Sequence, residues 1–533
     1  MSSLTTAPLR GCSFIAQAPD FCFSPEDFDT DSRLMIGAAE QFSRFEVLPV
    51  AERLDHQESG LMVELIRKAG DLGFCGPDTP EEFGGLGLEK NLAARILEFL
   101  SLNASFSVTV GITSGIGQFG LVLFGTPEQK AQYLPDLSSG KKIGAYALSE
   151  PNSGSDALSL STRADLKDGD YILNGTKMWI SNALWADLFL VIAKVDGEKV
   201  TAFLVDRDTP GLSIAREEHK MGLKGSSTAR LVLEDARVPK RCVLHEVGLG
   251  HQVAFNALNM GRFKLASMSL GPARDAMGLA AQYVNERKQF GDLIASFGAI
   301  QQKFSLMSAL FYAAESMTYR TGSLIDEGFS AWGFTQDGAR KAAEEFAVEC
   351  SIGKVFATEV EAIIVDEALQ CFGGYGFTEE FPIARHYRDA RVSRIYEGTN
   401  EINRLFIFDR IRKRMQEGRI KDSVGFSGFI SELVDQAFKV DIKDQAQKIA
   451  LADMIIGLYA VQSVELRSQK TGELGKQLGQ IFKGWANARA AESFQLITGK
   501  SVTLPPLPFA NNIAVSEEVY RAKGPIRFAH TSR

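Results

Sequence analysis

The segment SRIYEGTNEINRLF, Ser393 to Phe406, sets one acid, Glu397, between Tyr396 and Gly398, just ahead of an amphipathic run. A carboxylate at such a break is either a surface turn residue or a general base, made basic by a pocket that desolvates it. Gly398 lets the chain turn without a Cβ, and Thr399 is a capping residue for a following helix. Four other stretches carry residue types suited to ligands. YALSEPNSGSD (Tyr146 to Asp156) offers small residues and exposed N–H groups to a ring edge and a pyrophosphate, or is a Pro/Gly turn. MWISN (Met178 to Asn182) offers an indole plane and a hydroxyl, or is a buried strand tryptophan. ERKQFG (Glu286 to Gly291) supplies Arg287, able to bond phosphate bidentately or to sit solvated at a helix end. QCFGGYGF (Gln370 to Phe377) has paired glycines that either admit close backbone approach or cap a helix.

Composition narrows the class. The chain has 533 residues, enough for several domains, with 45% hydrophobic and 23% charged content. A net charge of −8 and a pI near 5.5 argue against nucleic acid as the main ligand. Six cysteines lie scattered without a C-x-x-C pair, which points to reduced thiols in a cytosol-like compartment. The six histidines form no metal-ligand spacing, so no metal is expected. The first thirty residues have no continuous apolar core, so neither a secretory nor a transit peptide is read there.

The texture along the chain predicts an α+β fold: a helical N-terminal domain, a central antiparallel β-barrel-like domain, a helical bundle and an extra helical C-terminal domain. An arm (1–30) comes first, then helices (31–143). Leu61, Leu65, Ile66 and Ala69 form one stripe, and Thr126-Pro127 starts a helix. Phe106 to Gly125 reads as one buried helix with Gly111 and Gly115 a turn apart. Their missing side chains either open a groove for an apolar tail or permit close helix packing. From 144 to 250, short β-branched runs alternate with turn dipeptides: Tyr171–Leu173 between Asp168-Gly169 and Asn174-Gly175, Leu188–Val195 before Asp196-Gly197, Thr201–Val205, Leu212–Ile214 and Ala229–Leu233. A bundle (251–415) and a C-terminal block (420–533) follow, the latter interrupted by TLPPLPFANN. No G-x-G-x-x-G follows a strand, so no Rossmann site is indicated.

Taken in order, the five segments resemble the signature segments of the acyl-CoA dehydrogenase family over residues 31–415. With the C-terminal block the chain is similar to the very-long-chain branch. The resemblance implies FAD, bound by Tyr146, Ala147, Leu148, Ser149, Ser155, Trp179, Ile180, Ser181, Gln370, Cys371, Phe372, Gly373, Gly374, Thr399, Asn400 and Glu401, with Arg287 reaching the cofactor of a neighbouring subunit. It implies substrate contacts at Ser155, Gly398 and the stretch Asn259, Met260, Gly261 and Arg262. Some relatives carry their base at the position of Gly261; glycine cannot take a proton, which leaves the role to Glu397.

The activity so implied is α,β-dehydrogenation of a fatty acyl-CoA, a long one by the branch resemblance, to a trans-2-enoyl-CoA, the first step of fatty acid β-oxidation. Electrons would pass to an electron-transfer flavoprotein. An acyl-CoA oxidase and a respiratory-complex assembly factor are the alternatives on the same fold. The resemblance also implies a homo-oligomer, a dimer in this branch. The absence of a readable transit peptide leans toward a bacterial host and, with the scattered cysteines, a cytoplasmic setting. Membrane contact through the C-terminal block is possible, as in the branch. Leu474, Leu478, Ile481, Phe482 and Trp485 near helical spacing nevertheless read first as a helix docked on its own protein.

Overall fold

A computed structural model describes residues 11–17, 21–333, 336–421, 423–425, 427–506 and 512–528. The chain forms two compact units. A mixed unit comprises Phe28–Ala276 with Gly373–Glu397; a helical unit comprises the residues up to Asp27 with Met277–Phe372 and Gly398–Arg533.

The mixed unit opens with helices. Leu61–Asp71 buries Leu61, Leu65, Ile66 and Ala69, the stripe read from sequence. Pro127–Ser138 starts with the Thr126 hydroxyl on the Gln129 N–H and the Gln129 side chain back on the Thr126 N–H, a reciprocal cap. The apolar stretch between them is two helices, Ala104–Thr113 and Ile116–Phe124, rather than the single helix expected. The break has a packing cause. A Cβ on Gly115 would stand 2.4 Å from the Gly111 carbonyl oxygen, and one on Gly111 would stand 3.0 Å from the Met268 sulfur. Both glycines therefore serve close packing, and neither opens a groove. The stretch Ala104–Phe124 is apolar enough to cross a membrane, but 89% of its apolar window is buried inside the protein.

Eight strands follow: β1 (Gly144–Ala147), β2 (Arg163–Lys167), β3 (Asp170–Ser181), β4 (Leu188–Val195), β5 (Lys199–Asp206), β6 (Leu212–Glu217), β7 (Thr228–Pro239) and β8 (Val243–Leu244). The sheet runs β6-β7-β3-β2-β4-β5-β8, with β1 also on β4. Asp168-Gly169 makes a two-residue β2–β3 hairpin and Asp196-Gly197 opens the three-residue β4–β5 hairpin, with all four φ angles positive. Asn174-Gly175 is not a turn: it is a register shift inside the long strand β3. The sheet is also less uniform than expected, because β1 and β2 both pair parallel with β4. Asn182 fastens the helices to the sheet through its amide, which donates to the Thr109 and Gly144 carbonyls at 3.1 and 3.0 Å.

In the helical unit the long helices Gly298–Trp332, Ala347–Phe372, Asn400–Gln416, Gln445–Ser468 and Gly472–Thr498 form the framework. Leu478 and Phe482 of the last are fully buried, in keeping with a helix docked on its own protein. Part of TLPPLPFANN lies outside the described residues. The arm is anchored here by single side chains. Phe14 meets the Tyr459 ring edge-on at 4.9 Å, Lys470 pairs with Asp27 at 2.5 Å, and buried Arg467 bonds Glu26 and Glu315, each at 2.7 Å. All six cysteines are free and buried.

Candidate active site

Glu397 is the last residue of the mixed unit. Its φ is 55° and that of Gly398 is 88°. A left-handed residue with a side chain costs roughly 1–2 kcal/mol, so the surroundings must impose the conformation. Within the mixed unit the restraint comes from the Gly250–Val284 helix. Arg262 Nε donates to the Glu397 carbonyl at 3.2 Å, and its Nη1 donates to Asn259 Oδ1 at 3.2 Å. Residues three apart share a helix face, which is why Asn259 can orient the guanidinium. Between them sits Gly261. A Cβ there would lie 2.9 and 3.0 Å from the two carboxylate oxygens of Glu397 and 2.7 Å from Ile116 Cγ2. The glycine makes room for the carboxylate. Met260 is buried.

Tyr146 on β1 joins this group, its hydroxyl donating to the Ala254 carbonyl at 3.4 Å. Burial, then the nearby Glu397 carboxylate, push its phenol far above the ordinary tyrosine range, so it stays a neutral neighbour. Ala147 and Leu148 are buried, and the Ser149 carbonyl accepts from the Met178 N–H at 2.8 Å. That bond brings the first two signature segments side by side. The next residues fall in a second register shift of β3, between Lys177 and Ile180. There Trp179 takes a φ of 61° and is 58% exposed, while Ile180 is buried. A buried strand tryptophan is thus ruled out. Ser181 closes β3, and Ser155 stands exposed in the loop after β1. Gly373 (φ 59°) and Gly374 are exposed, and a Cβ on either would meet nothing within 4 Å. Among the described residues, Gly374 thus has no packing partner that would demand a glycine.

The remaining candidates belong to the helical unit. Arg287 is exposed before a two-stranded hairpin (Lys288–Gln289 with Asp292–Leu293). Its N–H bonds the Tyr283 carbonyl at 2.9 Å, and Tyr283 stacks on Phe372 at 4.3 Å, which links this corner to the end of the Ala347–Phe372 helix. Gln370 is exposed there, while burial pushes the neighbouring Cys371 thiol up to about 12. The Thr399 hydroxyl caps Asn400–Gln416 by accepting from the Ile402 N–H at 3.3 Å. Glu401 is exposed in that first turn, its carboxyl held low by its own backbone N–H. The Asn400 side chain is spent inside the protein, on Lys354 at 2.7 Å, Glu359 at 3.0 Å and Thr358 at 3.1 Å.

Two groups escaped the sequence reading. One is a buried triad in the mixed unit: Asp78 bonds Lys90 at 2.8 Å and Lys264 at 2.9 Å. The other is Lys354, a lone lysine in the apolar run Cys350–Ala357; that setting was the available signal. A cavity of about 500 Å³ in the helical unit, lined by Phe356, Trp485 and Leu496 with Arg404 and Asp453, contains none of the candidate residues.

The chain matches the family models "Acyl-CoA dehydrogenase, N-terminal domain" over residues 29–141, "middle domain" over 145–236 and "C-terminal domain" over 248–412. It is 41% identical over 494 residues to the probable acyl-CoA dehydrogenase of Bacillus subtilis (strain 168), covering 85% of this chain and 83% of that one. It is 40% identical over 349 residues to the human mitochondrial very long-chain specific acyl-CoA dehydrogenase, covering 63% of this chain and 51% of that one. The crystal structure of an acyl-CoA dehydrogenase complexed with FAD from Bacillus anthracis superposes with a TM-score of 0.91 at 37% identity, over 97% of this chain and 99% of that one. The chain belongs to the acyl-CoA dehydrogenase family, FAD-dependent oxidoreductases acting on CH–CH groups.

Proposed function

We propose that this protein dehydrogenates long-chain fatty acyl-CoA between Cα and Cβ, as the first step of β-oxidation, with Glu397 as the base that takes the α-proton. The observation that carries the reading is the Glu397 carboxylate lying against Gly261, where any side chain would displace it. A carboxylate whose backbone is fixed and whose facing helix gives way is built to receive a ligand atom.

The residues fit FAD. The largely exposed Trp179 gives a flat surface, and a group placed where a Cβ on Gly373 or Gly374 would lie meets none of the described residues within 4 Å. Ser149, Ser155, Ile180, Ser181, Gln370, Thr399 and Glu401 complete the proposed contacts. Bound FAD supplies the acceptor for the β-hydrogen, which leaves as hydride as the α-proton goes to Glu397 and the Cα–Cβ double bond forms. The protein's part is electrostatic and geometric. The Glu397 N–H donates to the thioester carbonyl, where charge gathers as the proton departs. Neutral Tyr146 keeps a second negative charge away from the carboxylate. Asn259, Met260 and Arg262 shape the wall opposite.

The long-chain preference, the electron-transfer flavoprotein as acceptor, a homodimer completed through Arg287, and a bacterial cytoplasmic setting are proposed with it. They are supported by likeness to the very-long-chain branch and by the Bacillus relatives. The test is anaerobic titration of the FAD-loaded protein with saturated acyl-CoAs of rising length. Flavin bleaching that strengthens toward long chains is expected; no bleaching with any length contradicts the reading. Oxygen uptake without another acceptor would turn it toward an acyl-CoA oxidase.

A further inference from the structure

The Glu397-Gly398 turn has a second restraint, inside the helical unit. The Gly398 carbonyl accepts from Lys354 Nζ at 3.0 Å and from Asn403 Nδ2 at 2.8 Å. Both side chains are fully buried, 0% exposed. Lys354 Nζ also bonds Asn400 Oδ1 at 2.7 Å, and the Asn400 amide is aimed by Thr358 and Glu359. Glu359 is in turn fixed by Arg404 at 2.7 and 2.9 Å.

A buried ammonium is an expensive way to hold neutral oxygens such as the Gly398 carbonyl and Asn400 Oδ1. It must be desolvated, and it sits at the start of the Asn400–Gln416 helix, the end whose dipole favours anions. A neutral amide, such as Asn403 already provides, would satisfy the oxygen at lower cost. What the cation adds is stiffness, because charge-assisted hydrogen bonds are roughly twice as strong as neutral ones. The restrained peptide begins one residue after Glu397, in a left-handed pair that does not hold itself.

We propose that Lys354, with Asn403, is a positioning residue for the catalytic base: it fixes the Gly398 carbonyl and so the direction in which the Glu397 carboxylate and N–H point. The inference rests on Glu397 being the base. It assigns Lys354 no contact with substrate or FAD.

The test compares wild type, Lys354→Met, Asn403→Ala and Glu397→Gln as FAD-loaded proteins. The readouts are the limiting rate of anaerobic flavin reduction by a long acyl-CoA, the acyl-CoA dissociation constant, and backbone hydrogen exchange at 396–400. Lys354→Met, nearly the same shape without the charge, should reduce flavin about a hundredfold more slowly, the scale of an ångström's misplacement. Its dissociation constant should stay within about threefold, and exchange should rise at 396–400 ahead of the flanking helices. Should Lys354→Met fail to fold, Asn403→Ala, losing the weaker donor, should show the same split at about tenfold in rate. A rate near wild type in whichever variant folds, or loss of thermal stability alone, overturns the proposal. If that happens while Glu397→Gln is inactive, the base reading stands and only the positioning role falls. If Glu397→Gln reduces flavin normally, both fall.

Discussion

Two carboxylates of the mixed unit are held in place by opposite means. Asp78 is gripped by its own oxygens, one on Lys90 and one on Lys264. Glu397 is gripped through its backbone, by Arg262 on its carbonyl. Burial pushes the Asp78 carboxyl up, but Lys264 and Lys90 outweigh it and hold it far below the usual range. Burial also presses Lys264 below its ordinary range, so the triad gains less than two full ion pairs. The contrast sets a structural acid beside the proposed base. Cations on the oxygens make a carboxylate a poor base, whereas restraint on the main chain sets the direction in which the side chain points.

Removing the grip on the structural side should do the most damage. Asp78→Asn leaves two buried ammonium groups without their anion and should cost about 3–5 kcal/mol in urea unfolding. The flavin-reduction rate of the protein that does fold should stay near wild type. A stable Asp78→Asn protein with a slow reaction would reverse the assigned roles.

Acid should act next. Glu150 is buried and takes hydrogen bonds from Ser161, Thr162 and Lys177. Burial works against its charge, yet Lys177 and the two hydroxyls bring its pKa down to about 2. A folded pKa below the unfolded one gives stability that is complete above about pH 4.5 and lost as pH falls toward 2. Unfolding midpoints across that window should slope for wild type and flatten for Glu150→Gln; equal slopes would show that this buried acid is not a structural one.

Gly261→Ala should be milder. It places a methyl carbon 2.9 and 3.0 Å from the Glu397 oxygens, too close for them to stay where they are. Flavin reduction should slow about tenfold, with a loss of stability near 1 kcal/mol. An unchanged rate would mean that the carboxylate has room the structure does not indicate.

Much of this was legible beforehand. Turn dipeptides marked the β2–β3 and β4–β5 hairpins because Asp-Gly accepts the positive φ angles that both connections use. Thr126-Pro127 and Thr399 announced helix starts by capping chemistry. What stayed hidden depended on distant neighbours. β1 is four residues long and β2 is mostly polar, so neither shows alternation, and both exist by pairing with β4. The break at Gly115 is set by backbone approach that no periodicity records. The arm is anchored by isolated residues, Phe14, Glu26 and Asp27, with no repeat between them. Glu397 stood out by its local sequence, whereas Arg262 reaches its carbonyl, and Lys354 that of Gly398, only once helices remote in sequence are folded.

The most direct test of the central claim is the rate of anaerobic flavin reduction by a long-chain acyl-CoA, unlabelled and deuterated at the α-carbon, in wild type and Glu397→Gln. Wild type should reduce its flavin and slow on deuteration, while Glu397→Gln should bind the thioester and lose at least about a thousandfold in rate. Reduction by Glu397→Gln at the wild-type rate, with the isotope effect intact, would mean that another residue takes the proton.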